Sequence, residues 1–363
     1  MTLAFAELRR TRGRFAAIVG AVAFIVFLAL ILSALGDGLY LGQTGIYRAG
    51  DTGTYVYSED SGLGLARSGL DSEAVDQISR IAPVEGALGT STLAATTPDG
   101  SELQLSMIGA SGIARPNTIV EGRWPADGES AVVIDSQLRR RGVDLGSVIT
   151  IVDGPSLEVV GLANDAGYGF DTVWTSLDTW HDTRVVVRPE LAGLEGVVQA
   201  VALRTSSEPI RTAIDQAGPY QTASVSEAIA ALPAAEQQRS TIDAIVNTTF
   251  LVAAIVIGLF FALITLEKRN QFAVLKAIGM GSRRLFGGVL AQALIASAAG
   301  FAVGFVAARG VGLVLPADVP ALFLTESALS VFATTIVTGL LGALFSFRRI
   351  LKIDPATALG GAT

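Results

Sequence analysis

FAAIVGAVAFIVFLALILSALG, residues 15–36, runs for 22 positions without one Asp, Glu, Lys, Arg or His. Wound as an α-helix rising ~1.5 Å per residue, such a run crosses the ~30 Å hydrocarbon core of a bilayer. Three further runs share its character: 244–266, 285–308 and 327–347. The segment 37–243, between the first two runs, is charged along its length and cannot be buried in lipid. The pattern predicts an α-helical membrane protein with four transmembrane helices. An α+β extracytoplasmic domain is inserted between helices 1 and 2.

Positive charge sets the orientation. Arg9, Arg10, Arg12 and Arg14 precede the first run. Lys268, Arg269, Lys276, Arg283 and Arg284 follow the second, and Arg348, Arg349 and Lys352 follow the fourth. Four crossings put all three groups on one side, which the positive-inside rule assigns to the cytoplasm. Residues 37–241 carry 13 Arg and no Lys against 27 acidic residues, a balance of −14, whereas the rest of the chain stands at +7. The expected layout is therefore a cytoplasmic amphipathic segment 1–14, the domain 37–243, a cytoplasmic coupling loop 267–284, an extracytoplasmic loop 309–326 and a cytoplasmic tail 348–363. The protein is placed in the cell membrane.

With half its residues apolar, the chain is not an ordinary soluble protein. The acidic balance and the lack of a basic groove speak against nucleic acid as a partner. Zero cysteines exclude disulfides and Cys-ligated metal. The first run outlasts a signal-peptide core and lacks a small-x-small cleavage site, so it reads as a retained anchor. Strands are expected at 54–57, 103–108, 131–134, 148–152, 157–162, 184–187 and 197–203. Helices are expected at 71–81, 136–142 and 209–217, and a further one at 227–243 running straight into the second span. Gly300-Phe-Ala-Val-Gly304 is a GxxxG step that lets two helices approach closely, either within one chain or between two copies.

No P-loop surrounds any of the three lysines, and HExxH and GxSxG are absent. The sole histidine, His181, is expected in a polar loop, solvated or locally bonded. No catalytic residues and no intrinsic metal or cofactor are assigned. The apolar runs also lack the ionisable residue that a proton- or sodium-coupled carrier keeps. The chain is expected to be no enzyme, with its energy source elsewhere.

Two stretches carry a family pattern: EKRNQFAVLKAIGM (267–280) with GSRR (281–284), and the tail KIDPATALGG (352–361). Together with the order of one helix, a domain and three helices, they resemble the MacB/FtsX-like superfamily of ABC transporter permeases. EGRWPADGESAVVI (121–134), LGSVITI (145–151) and VVGL (159–162) are similar to the core of that family's outer domain. The opening ELRR and RGRF, the SALGDGL exit at 33–39 and the terminal Leu359-Gly-Gly361 resemble the DevC/HrtB-type branch, which includes permeases of haem exporters.

The resemblance implies a homodimer that docks two copies of a cognate ABC ATPase, with ATP-Mg bound on that partner. It also implies efflux of haem, or a similar amphiphile, by mechanical movement of the dimer. Lys268, Arg269, Phe272, Leu275, Lys276, Ile278, Gly279, Arg283 and Arg284 then form the ATPase-docking element. Spaced apolar anchors suit a partner's groove, and the same basic loop would also sit well against lipid phosphates. For haem, the resemblance points to the first-helix exit and to the loop NDAGYGF (164–170). Tyr47 and Tyr168 are the expected ligand contacts, with Tyr40 and Arg48 beside them and Phe24 and Phe27 as wall residues. Tyrosines at an interface also serve simply as amphipathic anchors. A lipid or peptide-antibiotic exporter, and an FtsX-like mechanotransmitter activating a cell-wall hydrolase, are the alternatives.

Overall fold

The computed structural model describes residues 12–169, 171–194, 196–267, 269–316 and 319–351. The chain forms two compact units: a helical unit made of the segments up to Gly38 and from Ser240 onward, and a sheet unit, Leu39–Arg239.

Among its described residues, the helical unit contains four helices long and apolar enough to cross a membrane, within α1 (Arg12–Arg48), α6 (Pro233–Glu267), α8 (Ser282–Gly312) and α9 (Thr325–Leu351). α1 outlasts the apolar run by twelve residues. Asp37 and Arg48 end the stretch that lipid can hold, but neither residue breaks a helix. Ile18, Val22, Val26 and Leu30 of α1 share a core with Ile257, Val289, Ala296 and Val331. Small residues set how close the helices come. A Cβ on Gly300 would lie 2.5 Å from Val22 Cγ1, and one on Gly304 would lie 2.5 Å from Ala23 O. Within this chain, then, the GxxxG step packs α8 onto α1. The opposite faces are bare: Leu251, Val252, Ile255, Leu259 and Leu263 of α6 are all exposed.

Among its described residues, the sheet unit holds ten strands: β1 (Thr54–Ser58), β2 (Gly86–Thr96), β3 (Glu102–Gly112), β4 (Ile119–Gly122), β5 (Ala131–Asp135), β6 (Val148–Ile151), β7 (Ser156–Ala163), β8 (Asp171–Ser176), β9 (Ala200–Leu203) and β10 (Tyr220–Ser224). Their order is β10-β1-β9-β2-β3-β8-β5-β7-β4, and β6 pairs with both β7 and β2. Strands β2, β3, β8, β5, β7 and β6 therefore close a ring of pairings, which removes most free edges. Leu93, Leu105, Met107, Ile134, Leu157 and Trp180 share one core cluster. Helices α2 (Ser72–Ser79), α3 (Leu177–Val187), α4 (Glu208–Ala217) and α5 (Val225–Ala230) complete the unit.

Three expectations are corrected. Residues 184–187 are not a strand but the end of α3. Ser176 caps that helix by accepting the Thr179 N–H, and buried Trp180 and Thr183 fix its face, which overrides the β-branched run. His181 lies on the same helix rather than in a loop, with Nδ1 3.4 Å from the Arg184 guanidinium. The helix expected at 227–243 is two helices: α5 ends at Ala230, and α6 starts at Pro233, which cannot supply the N–H a continuous helix needs. Residues 136–141 form a 3₁₀ helix. Strand β2 went unanticipated because it is built from Gly, Ala, Ser and Thr. Its Gly89 pairs with Gly109, and the Trp180 ring occupies the space where both side chains would stand.

Gly304→Leu should wedge α8 away from α1 and lower the yield and melting temperature of purified protein, with an overpacking cost of roughly 1–3 kcal/mol. Gly310→Leu is the control, since nothing lies within 4 Å of a Cβ there. Equal melting temperatures for the two variants would refute the packing role of Gly304.

Candidate functional site

The end of α1 meets the 164–169 loop through bare backbone. Ile46 N–H donates to Gly167 O (3.2 Å), and Gly169 N–H donates to Gly42 O (2.9 Å). Gly42 O and Ile46 N–H are the two groups an undisturbed helix pairs with each other. A Cβ on Gly45 would lie 2.4 Å from Gly167 N, so only glycine permits this approach. The loop is clamped from its other side. Buried Asp135 accepts the Gln137 N–H through Oδ1 and the Ala166 N–H through Oδ2, both at 2.9 Å, while Trp174 Nε1 donates to Ala166 O (2.8 Å). Burial pushes the Asp135 carboxyl above its usual range, and the two backbone bonds partly offset that rise.

This clamp brings two of the expected ligand contacts together with two tyrosines that sequence reasoning missed. Tyr47, Tyr55 and Tyr57 are buried in one cluster, and half-buried Tyr168 packs against it. The Tyr47 and Tyr55 rings meet edge to face at 5.2 Å, and Tyr55 and Tyr57 lie at 6.4 Å. The two-residue period of β1 puts Tyr55 and Tyr57 on one face. Their spacing was legible, but the pairing that buries that face was not.

The cluster buries several polar atoms. The hydroxyls pair off, Tyr47 with Tyr57 and Tyr55 with Thr52, while the Thr118 hydroxyl and the Trp124 Nε1 lack a hydrogen-bond partner among the described residues. Each such buried group costs about 1–3 kcal/mol relative to a paired one. Burial pushes Tyr55 up to about 12 and Tyr57 well above the ordinary tyrosine value, and it raises Tyr168 as well. The arrangement offers phenol oxygens and aromatic faces to a ligand only if the cluster opens.

The other expected contacts lie elsewhere or are engaged. Tyr40 is half-buried on α1. Arg48 Nε donates to Thr44 Oγ1 (3.1 Å) and Nη2 to Leu41 O (3.3 Å), so its guanidinium folds back along its own helix. Phe24, 66% exposed, and Phe27, packed against the helical core, belong to the helical unit. The six residues thus do not form a single cluster.

The expected docking element is a short helix, α7 (Arg269–Ala277), closed by a Schellman cap. Met280 N–H donates to Leu275 O and Gly279 N–H to Lys276 O, with Gly279 at φ +98°. Leu275 and Met280 face the helical core. Ile278 is 77% exposed and Val274, one turn earlier, 47%. The outward rib is therefore Val274–Ile278, and Leu275 holds the helix in place from beneath. Lys276 is half-buried; Arg283 and Arg284 are exposed. Lys268 and the tail motif at 352–361 lie outside the described residues, and only the backbone of Arg269 and Phe272 is described.

Residues 245–355 match the FtsX-like permease C-terminal family. Over 99% of both chains, the protein is 22% identical to the putative hemin transport system permease protein HrtB of Staphylococcus epidermidis. It is 33% identical over 39% of its length to an uncharacterized ABC transporter permease of Mycobacterium tuberculosis, 40% of which is covered. The periplasmic region of MacB from Actinobacillus actinomycetemcomitans aligns with TM-score 0.34 and 13% identity, covering 49% of this chain and 92% of that one. The extracellular domain of the transporter YknZ from Gram-positive bacteria aligns with TM-score 0.33 and 15% identity, covering 47% and 99%.

The tyrosine cluster predicts an alkaline limit to stability. These phenols are uncharged when protonated, and their folded values lie above the unfolded ~10. Their contribution is complete below pH ~10 and is lost as pH rises through the folded values. Tyrosinate absorbance of the full chain should therefore lag behind that of the denatured chain and rise together with unfolding. Coincident titration of folded and denatured protein would contradict this.

Proposed function

We propose that the chain is the permease subunit of an ABC-type efflux pump that expels haem, or a similar amphiphile, from the membrane. It acts as a homodimer on which two copies of a separate ATPase dock. Its termini are cytoplasmic and the sheet unit extracytoplasmic, as the charge asymmetry favours. The observation carrying this reading is the similarity to HrtB along 99% of both chains.

The residues suit a mechanical role. The Val274–Ile278 rib presents spaced apolar anchors of the kind a partner's groove accepts. Leu275 and Met280 pack α7 against the helical core, which suits it to act as a lever. α1 and α6 are each continuous well past their apolar runs, so a shift at the ATPase side is carried along intact helices. Haem is an apolar plate with an iron that accepts a phenolate and with propionates that accept arginine. Tyr47 and Tyr168 are the proposed contacts. Burial holds their protons on, so binding requires the cluster to open, and iron would then favour the phenolate. Coupling that opening to ATP-driven movement ties ligand contact to the transport cycle.

A haem titration of the purified permease, followed through the Soret band, tests this reading. Tyr47→Phe and Tyr168→Phe are the informative variants, because they remove the hydroxyl and leave the packed ring. A saturable shift weakened by either variant is expected. Featureless partitioning, unchanged by both, would move the assignment to another amphiphile or to a mechanical transmitter. Docking has its own test. Ile278→Asp should abolish stimulation of the cognate ATPase while leaving the permease's melting temperature unchanged, because the side chain is exposed. Leu275→Asp should instead lower the melting temperature, since it buries a charge. Full stimulation by Ile278→Asp would dismiss the rib.

A further inference from the structure

Arg184, on α3 of the sheet unit, is only 7% exposed, and no carboxylate among the described residues pairs with it. Its Nε is buried without a hydrogen-bond partner among those residues. Nη2 reaches His181 Nδ1 and Leu194 O, both at 3.4 Å, beyond the usual range for such bonds. The guanidinium lies over the Trp180 ring at 4.3 Å from its centroid, which fixes the plane of the cation. Trp180, His181 and Arg184 share one face because α3 sets them three and four positions apart. Burial holds the guanidinium below its ordinary range. Taking a cation out of water without a counter-charge is costly, and an anion entering beside it removes much of that cost.

We propose that Arg184, Trp180 and His181 form a binding site for a small, free monoanionic carboxylate. Guanidinium and carboxylate are both planar and meet through paired N–H···O bonds, and Nε with Nη2 forms one edge suited to that fork. Charge selects the class. A guanidinium has no acceptor, so its bond to Nδ1 requires a neutral imidazole, which leaves one positive charge in the site. That charge balances a carboxylate but not a phosphate dianion. Asp178 and Asp182, exposed on the same helix, further disfavour a second negative charge. Size follows from the cover. Leu194 ends the 3₁₀ turn Pro189–Leu194, which contributes no buried residue, so a small ligand can displace it without breaking a core. Trp180 belongs to a different core cluster from Tyr47, and the site does not depend on what the pump carries.

His181 is the sole histidine, so a full chain purified with a histidine-free tag gives one imidazole signal by NMR. In nanodiscs, acetate should shift that signal saturably. Acetamide, similar in shape but uncharged, should not, and phosphate should bind more weakly than acetate. Arg184→Met keeps an unbranched stem without the charge and should weaken acetate roughly tenfold, the loss expected for one charge-assisted contact. Arg184→Lys should weaken it too, since an ammonium lacks the fork. Acetate should raise the melting temperature of the wild type and not that of Arg184→Met. Without acetate that variant should melt no lower than the wild type, having shed an uncompensated charge. Glu195 adjoins Leu194 in sequence and lies outside the described residues; Glu195→Gln should leave the acetate affinity unchanged. The absence of a saturable acetate shift, an equal response to acetamide or phosphate, or undiminished binding by Arg184→Met would each overturn the assignment. So would a lower melting temperature of Arg184→Met without acetate, or tighter binding by Glu195→Gln, since either would assign the counter-charge to the chain itself.

Discussion

Gly42 O and Ile46 N–H of α1 bond to the backbone of Gly169 and Gly167, and the placing of the 164–169 loop depends on that contact. It demands that no side chain stand between helix and loop, which explains the glycines at 45 and 167. It also demands that the loop be held from behind, which Asp135 and Trp174 do. Once the loop is fixed, Tyr168 is set against Tyr47, and β1 delivers Tyr55 and Tyr57 to the same place. A helix that begins among apolar residues thus ends as part of a folded domain's core.

The tyrosine cluster is costly by the ordinary rules of a core. Burying several phenols that pair only with one another or with Thr52 gives up hydrogen bonds that water would supply. Stability alone would favour phenylalanine, which fills the same space with nothing to satisfy. The proposed role of Tyr47 and Tyr168 rests on the similarity to HrtB.

In the helical unit, close contact is won by small residues rather than by polar ones. Gly300 and Gly304 against Val22, Ala23 and Val26 let α1 and α8 pack backbone to side chain. The apolar face of α6 is left uncovered, as suits lipid or a second copy. α7 divides its faces more strictly, with Leu275 turned inward and Val274 and Ile278 turned outward. That division is what a lever needs: one side anchored, the other presented.

The four membrane runs were legible because crossing lipid is a matter of local composition, counted residue by residue. The same holds for the strands at β1, β3, β5, β6 and β7, whose alternation or β-branching is local. The GxxxG step announced a close approach, and Tyr47 and Tyr168 could be singled out by position and type. Elsewhere local signals misled. Val185–Val187 look like a strand and lie in α3, because the Ser176 cap and the burial of Trp180 outweigh propensity. The small residues of β2 look like a loop and form a strand, because Trp180 needs the space they leave. Which tyrosines gather around Tyr47 and which side of α7 faces outward were decided only by the tertiary structure. These are contacts between residues far apart in the chain, and their energy comes from packing and pairing that no window of sequence contains.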